Sequence, residues 1–228
     1  KKFEDAYEVI PGFRDGKLLL YPHPDLKQGF FGKKYDTYTI DVVFPAVHGT
    51  NAEDGALHGI FQMNGVPCAF GSVLSSAVGM DKVIMKKVFE SNNLPVVDYT
   101  WFFRSSYAEN KNEIIEEIEK IGYPLIFKPA NLGSSVGISK ANNLDELMFS
   151  IEVACGYDRK IIVEKCVENV REINCAVMGF ENELTASLCE EPVGWKEFLT
   201  YEDKYVNKKK DASESKRRIP ADIDKEVE

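Results

Sequence analysis

Residues 124–141 read PLIFKPANLGSSVGISKA. The apolar run Leu125–Phe127 leads into Lys128 and Pro129, and a second short run closes the stretch at ISKA, 138–141. This spacing predicts two strands joined by the glycine loop NLGSSVG, 131–137. Glycines let backbone N–H groups approach an anion closely, and serines add hydroxyl donors. Taken alone, such a loop is as compatible with an ordinary turn, and it is neither a Walker sequence nor GxGxxG. Lys128 tips the balance, because it follows an apolar strand and brings a charge to an otherwise buried edge.

Working outward, NNLDELMFSIEVAC predicts a helix with Asn143 as N-cap, and KIIVEKCV a buried strand. EINCAVMGF and NELTASL read as a hairpin across Glu181-Asn182. Upstream, NEIIEEIEKIG spaces Ile114, Ile115, Ile118 and Ile121 along one helical face and ends at Gly122. The segment 71–95 holds two more helical stretches. In the first third, KLLLY (17–21) and IDVVFPAV (40–47) read as buried strands, ALHGIFQMNG as a short helix and VPCAF as another strand. That alternation predicts a parallel α/β unit. Beyond Glu190, WKEFLTYEDKYVNKKKDASESKRR (195–218) is polar and reads as a long lid-like loop whose KKK and KRR clusters are solvated.

Composition narrows the function classes. The chain has 228 residues, 44% hydrophobic and 29% charged, with 28 Lys and Arg against 37 Asp and Glu, a net charge of −9. That is globular composition, and its sign argues against a nucleic-acid or anionic-membrane surface as the main partner. No stretch approaches the ~20 apolar residues that span a bilayer. Five widely spaced cysteines and three histidines provide neither a disulfide framework nor a zinc knuckle, so no metal ligand is assigned.

Three further clusters carry chemistry. In IIVEKCVENVREI an apolar strand runs into Glu164-Lys165, where a connection between strands offers backbone hydrogen bonds to an adenine. Glu172, a little further on, suits ribose hydroxyls. Taken by themselves, these residues more often form a solvated hairpin end with ordinary surface charges. HGTNAEDG places His48, Glu53 and Asp54 just past a strand end, where ligands bind in open α/β sheets. FLTYEDKY brings Tyr201, Lys204 and Tyr205 ahead of the basic loop.

HGTNAEDG (48–55), MDK (80–82), FKPANLGSSVG (127–137), VEK (163–165) and YEDKY (201–205) in this order resemble the D-alanine–D-alanine ligases of the ATP-grasp superfamily. The resemblance spans about His48 to Pro220, with Ala52 standing where a glycine or acidic residue is more usual. It implies an N-terminal parallel α/β domain (1–81, its first strand missing), an ATP-grasp central subdomain (82–172), and the start of a C-terminal subdomain carrying the lid (173–228). It implies that Lys82 and Lys128 contact the phosphates of ATP, that Gly133, Ser135 and Gly137 belong to a loop folding over them, and that Lys204 approaches from the lid. Glu164, Lys165 and Val167 would line the adenine pocket and Glu172 would hold the ribose. Ser134 and Tyr205 would position lid and substrates, with His48 near the D-amino acids; a tyrosine at 205 resembles ligases that make D-Ala-D-Ala or D-Ala-D-Ser.

The implied reaction converts a D-alanine carboxylate, whose own leaving group would be an oxide, to an acyl phosphate that the amine of a second D-amino acid attacks. A closed lid keeps water from that intermediate. The resemblance further implies a cytoplasmic homodimer serving peptidoglycan precursor synthesis. Its Mg2+ carboxylates are expected beyond residue 228 and a substrate-binding glutamate before residue 1, so this chain alone is expected to be inactive. Three alternatives stand beside it: a D-alanine–D-serine ligase, another carboxylate–amine ligase of the superfamily, and a nucleotide-binding module without catalysis.

Overall fold

A computed structural model describes residues 8–24, 36–193 and 216–224. The chain divides into two units: 1–96 with 130–133, and 97–129 with 134–228.

In the second unit, β4 (Tyr99–Phe103), α4 (Arg104–Glu109), α5 (Lys111–Glu119), β5 (Leu125–Pro129), β6 (Ser139–Ala141), α6 (Leu144–Tyr157) and β7 (Lys160–Lys165) build a sheet of order β4-β7-β5-β6. Every pairing in it is antiparallel. Strand alternation gives the sheet two unlike faces. Phe102, Leu125, Phe127, Ala141, Ile161 and Val163 point one way and form a single core with Ile118 of α5 and Leu147, Ile151 and Ala154 of α6. Ile126, Lys128, Ile162 and Glu164 occupy the alternate positions and point the other way.

Helix α6 starts where its capping residues dictate. Asn143 Oδ1 accepts from the Glu146 N–H at 3.0 Å, and Glu146 Oε2 accepts from the Asn142 N–H at 2.8 Å. The Asn142 N–H foremost, then the side-chain amides of Asn142 and Asn143, hold the Glu146 carboxyl below its ordinary range.

Further along, β8 (Val177–Phe180) and β9 (Glu183–Ala186) form the hairpin expected across Glu181-Asn182. Strands β10 (Glu191–Val193) and β11 (Lys216–Arg218) pair antiparallel, with Glu191 opposite Arg218. KRR is therefore a strand and not part of a structureless loop, while Arg217 and Arg218 remain exposed as expected. Residues 194–215, which hold KKK, Lys204, Tyr205 and most of the expected lid, lie outside the described residues.

The first unit departs from the expected parallel α/β pattern. β1 (Val9–Arg14), β2 (Lys17–Pro22) and β3 (Tyr38–Ile40) form an antiparallel sheet in chain order. The cause is Asp15-Gly16, with φ of 51° and 71°: two successive positive-φ residues make the tight turn that suits a hairpin. KLLLY is a strand as read, but IDVVFPAV is not a buried one. Regular pairing stops at Ile40, Val43 makes one parallel bridge to Cys68, and Phe44 is 78% exposed. VPCAF contributes only that bridge. Leu18, Phe61 and Val66 form this unit's small core, beneath α1 (Ala56–Met63). Two more helices follow, α2 (Val73–Met80) and α3 (Lys82–Ser91).

Phe127 is completely buried in the larger core. Phe127→Ala is expected to lower unfolding free energy by about 3–5 kcal/mol, measured by urea denaturation of the second unit's transition.

Candidate functional site

The glycine loop begins where β5 ends. Ser134 and Ser135 have φ of 54° and 60°, and Gly137 has 68°. Left-handed backbone at two consecutive serines costs about 1–3 kcal/mol each and recurs at ligand clamps. Gly137 is needed twice over, since a Cβ there would also sit 2.7 Å from Tyr157 Cδ2 and 2.8 Å from Pro129 Cγ.

Lys128, on β5, donates to Glu164 Oε2 on β7. Ile126 lies opposite Glu164 and Lys128 opposite Ile162, so the pair joins diagonally on the sheet face away from the helices. The Glu164 side chain is 8% exposed and that of Lys128 26%. A carboxylate so buried needs a partner, and the ammonium supplies one while keeping an approach from solvent.

Lys165 follows directly. Its Nζ donates to the carbonyls of Gly122 (3.0 Å) and Tyr123 (2.6 Å). Its N–H is taken by Asp98 O and that of Cys166 by Pro124 O. Val167, the second residue past the strand, is exposed. Glu172 is exposed in the connection between β7 and β8.

In the first unit, Asp81 Oδ1 caps α3 by accepting from the N–H groups of Val83 and Ile84. Lys82 then reaches the stretch that enters the glycine loop: its N–H donates to Ala130 O at 3.0 Å, and its Nζ to Leu132 O at 2.5 Å. Gly133 belongs with this unit and Ser134 with the other.

In HGTNAEDG both carboxylates serve the loop's own backbone. Glu53 Oε2 accepts from the Gly49 N–H at 2.6 Å, and Asp54 accepts from the N–H groups of Asn51 and Ala56. Gly55, at φ 91°, lies where a Cβ would be 2.8 Å from Val73 O. His48 is 78% exposed, its Nδ1 3.6 Å from Glu53 Oε1.

The structure thus brings Lys128 to Glu164, places Lys165 and Val167 at the same strand end, and ties Lys82 to the loop's entrance. Lys204 and Tyr205 lie outside the described residues.

The sequence reading missed an ionic cluster beside Glu172. Arg171 Nε donates to Glu191 Oε1 at 2.8 Å, Arg218 Nη1 lies 3.2 Å from Glu191 Oε2, and Arg217 pairs with Glu190 at 3.4 Å. The signal was the adjacent acids at 190–191 facing adjacent arginines at 217–218 across the intervening segment. Among the described residues, no three His, Cys, Asp or Glu side chains converge as a metal site, and no helix is long and apolar enough to cross a membrane.

Solved structures that this chain resembles include D-amino-acid ligases with an ATP-grasp fold. The VanG D-Ala:D-Ser ligase from Enterococcus faecalis superposes with TM-score 0.66 at 34% identity, over 85% of this chain and 53% of that one. The D-alanine–D-alanine ligase from Coxiella burnetii gives 0.71 at 26% identity, over 97% and 53%. Residues 88–228 match the family described as D-ala D-ala ligase C-terminus, and the chain belongs to that family. A curated D-alanine–D-alanine ligase of Clostridium acetobutylicum is 46% identical over 207 residues, 90% of this chain and 57% of the relative. That of Acetivibrio thermocellus is 42% identical over 189 residues, covering 82% and 48%. The chain spans about half the length of the curated relatives it matches.

The bond from Arg171, first, holds the Glu191 carboxyl below its ordinary value of 4.5. A depressed carboxylate stabilises the fold above its unfolded pKa and loses that contribution as pH falls through the folded value. Wild type and Glu191→Gln are therefore expected to differ in thermal midpoint above about pH 4.5 and to converge in more acid solution.

Proposed function

We propose that this chain provides the nucleotide-holding part of an ATP-dependent D-alanine–D-alanine ligase. The observation that carries the reading is the Lys128–Glu164 pair, on the sheet face that α5 and α6 leave free, next to a loop with left-handed serines. A lone buried pair is explained by structure; a pair still approachable through its lysine, beside strained loop backbone, suits a polyanion. Curated relatives named D-alanine–D-alanine ligase support the reaction class.

In this reading Lys128, Lys82, Gly133, Ser135 and Gly137 hold the phosphates, with Lys204 joining from 194–215. The Lys128 ammonium is kept in place by Glu164, so little rearrangement is needed when charge develops nearby. Lys165 has its ammonium committed to two carbonyls, which makes its contribution to the adenine pocket its position and that of Val167. Exposed Glu172 accepts from the ribose hydroxyls. His48, Ser134 and Tyr205 serve the D-amino acids. ATP, as substrate, passes its γ-phosphoryl group to the first D-alanine carboxylate and leaves as ADP; the second amine then attacks the acyl phosphate carbon and inorganic phosphate departs. Mg2+ belongs to the same proposal as a companion of ATP, and among the described residues no three His, Cys, Asp or Glu side chains converge to hold it.

The functional division at 81 and 172, the homodimer and the cytoplasmic setting belong to the same proposal. D-Serine as second substrate is a specific variant of it, favoured by the 34% identity to the VanG D-Ala:D-Ser ligase.

Two measurements test the proposal. On the whole polypeptide, phosphate release is expected with D-alanine alone; release only when D-serine is added would favour the variant, and none with either would refute both. Removing Lys128 alone also takes the ammonium partner from a buried Glu164, costing about 1–3 kcal/mol of stability. The clean variant is Lys128→Met with Glu164→Gln, expected to keep the thermal midpoint within a few degrees while ATP binding by calorimetry is lost. Unchanged ATP affinity in it would defeat the assignment.

A further inference from the structure

Glu172 lies in the long connection between β7 and β8, exposed and without a strand of its own to fix it. A carboxylate that accepts from two ribose hydroxyls must nonetheless be held within a fraction of an ångström. Its sequence neighbour is pinned at both ends of a guanidinium. Arg171 donates through Nε to Glu191 Oε1 at 2.8 Å and through Nη2 to Asp222 O at 2.8 Å. Glu191 is in turn held by strand pairing opposite Arg218, whose Nη1 lies 3.2 Å from the second carboxylate oxygen and 3.6 Å from Asp222 Oδ2. The Glu191 side chain is 12% exposed, the least exposed member of the group. Backbone bonds close the frame: Asn174 and Glu190 exchange N–H···O bonds at 2.8 Å, and Ala221 N–H donates to Cys189 O at 2.7 Å.

We infer that Arg171 is a positioning residue for nucleotide recognition: bridging Glu191 and the Asp222 carbonyl, it fixes the connection that presents Glu172 to the ribose. The inference rests on the ATP-site reading above. Only a planar fork with separate Nε and Nη2 donors reaches both acceptors at once, so lysine at 171 keeps the charge and loses one of the two pins.

The experiment is calorimetric binding of ADP and of 2′,3′-dideoxy-ADP to the whole polypeptide. Wild type is expected to prefer ADP roughly tenfold, the value of a charge-assisted hydrogen bond. Arg171→Lys is expected to weaken ADP several-fold, leave dideoxy-ADP unchanged, and collapse the preference toward one. In a Glu172→Ala background, Arg171→Lys should then cost nothing further, because it acts through the missing carboxylate. Equal weakening of both nucleotides by Arg171→Lys, or an undiminished cost in the Glu172→Ala background, would overturn the inference. Failure of the underlying reading has a different signature. Wild type that binds ADP without distinguishing the two nucleotides removes Glu172 from the ribose, and wild type that binds neither removes the nucleotide site.

Discussion

Glu164 is buried against the Lys128 ammonium, and the register that joins them is the register that builds the core. Strands β5 and β7 place Leu125, Phe127, Ile161 and Val163 against the helices. A slip of one residue would turn those four outward and carry Glu164 into the apolar layer. The hydrophobic demand of one face therefore sets the ionic geometry of the other to within a single residue step. Only five residues, Pro129 to Gly133, separate Lys128 from the left-handed turns at Ser134 and Ser135.

Acidic residues outnumber basic ones by nine, yet many of them face the protein's own backbone. Glu53, Asp54, Asp81 and Glu146 each accept from main-chain N–H groups at a loop or helix start. Their charge lies where unpaired amides would otherwise be. In HGTNAEDG this arrangement explains why two carboxylates accompany one exposed histidine: they shape the turn that carries His48.

Where a periodic pattern was strong, the sequence was enough. The isoleucine face of α5, the Asn143 cap of α6, the apolar Ile161–Val163 run of β7 and the Glu181-Asn182 hairpin appear where spacing put them. The failures have separate causes. β1 went unread because VIPGFR carries a proline and a glycine that weaken any strand signal, although Asp15-Gly16 announced the turn. Residues 40–47 look like a buried strand by composition, but Pro45 and the lack of a paired neighbour leave Phe44 exposed. KRR reads as solvated charge until Glu190 and Glu191 are seen across from it. In the site, residue types told which side chains are chemical. They could not tell that the Lys165 ammonium is already held by two carbonyls, since those carbonyls lie in a turn more than forty residues earlier.

The antiparallel pairing of β10 with β11 brings together the two ends of the chain that runs from 194 to 215. Whatever lies between must leave and return at one doorway, side by side at Val193 and Lys216. Lengthening or shortening such an excursion alters mainly its closure entropy, by only about 0.6 kcal/mol per doubling. A change of length there can accordingly leave the neck at Val193 and Lys216 in place.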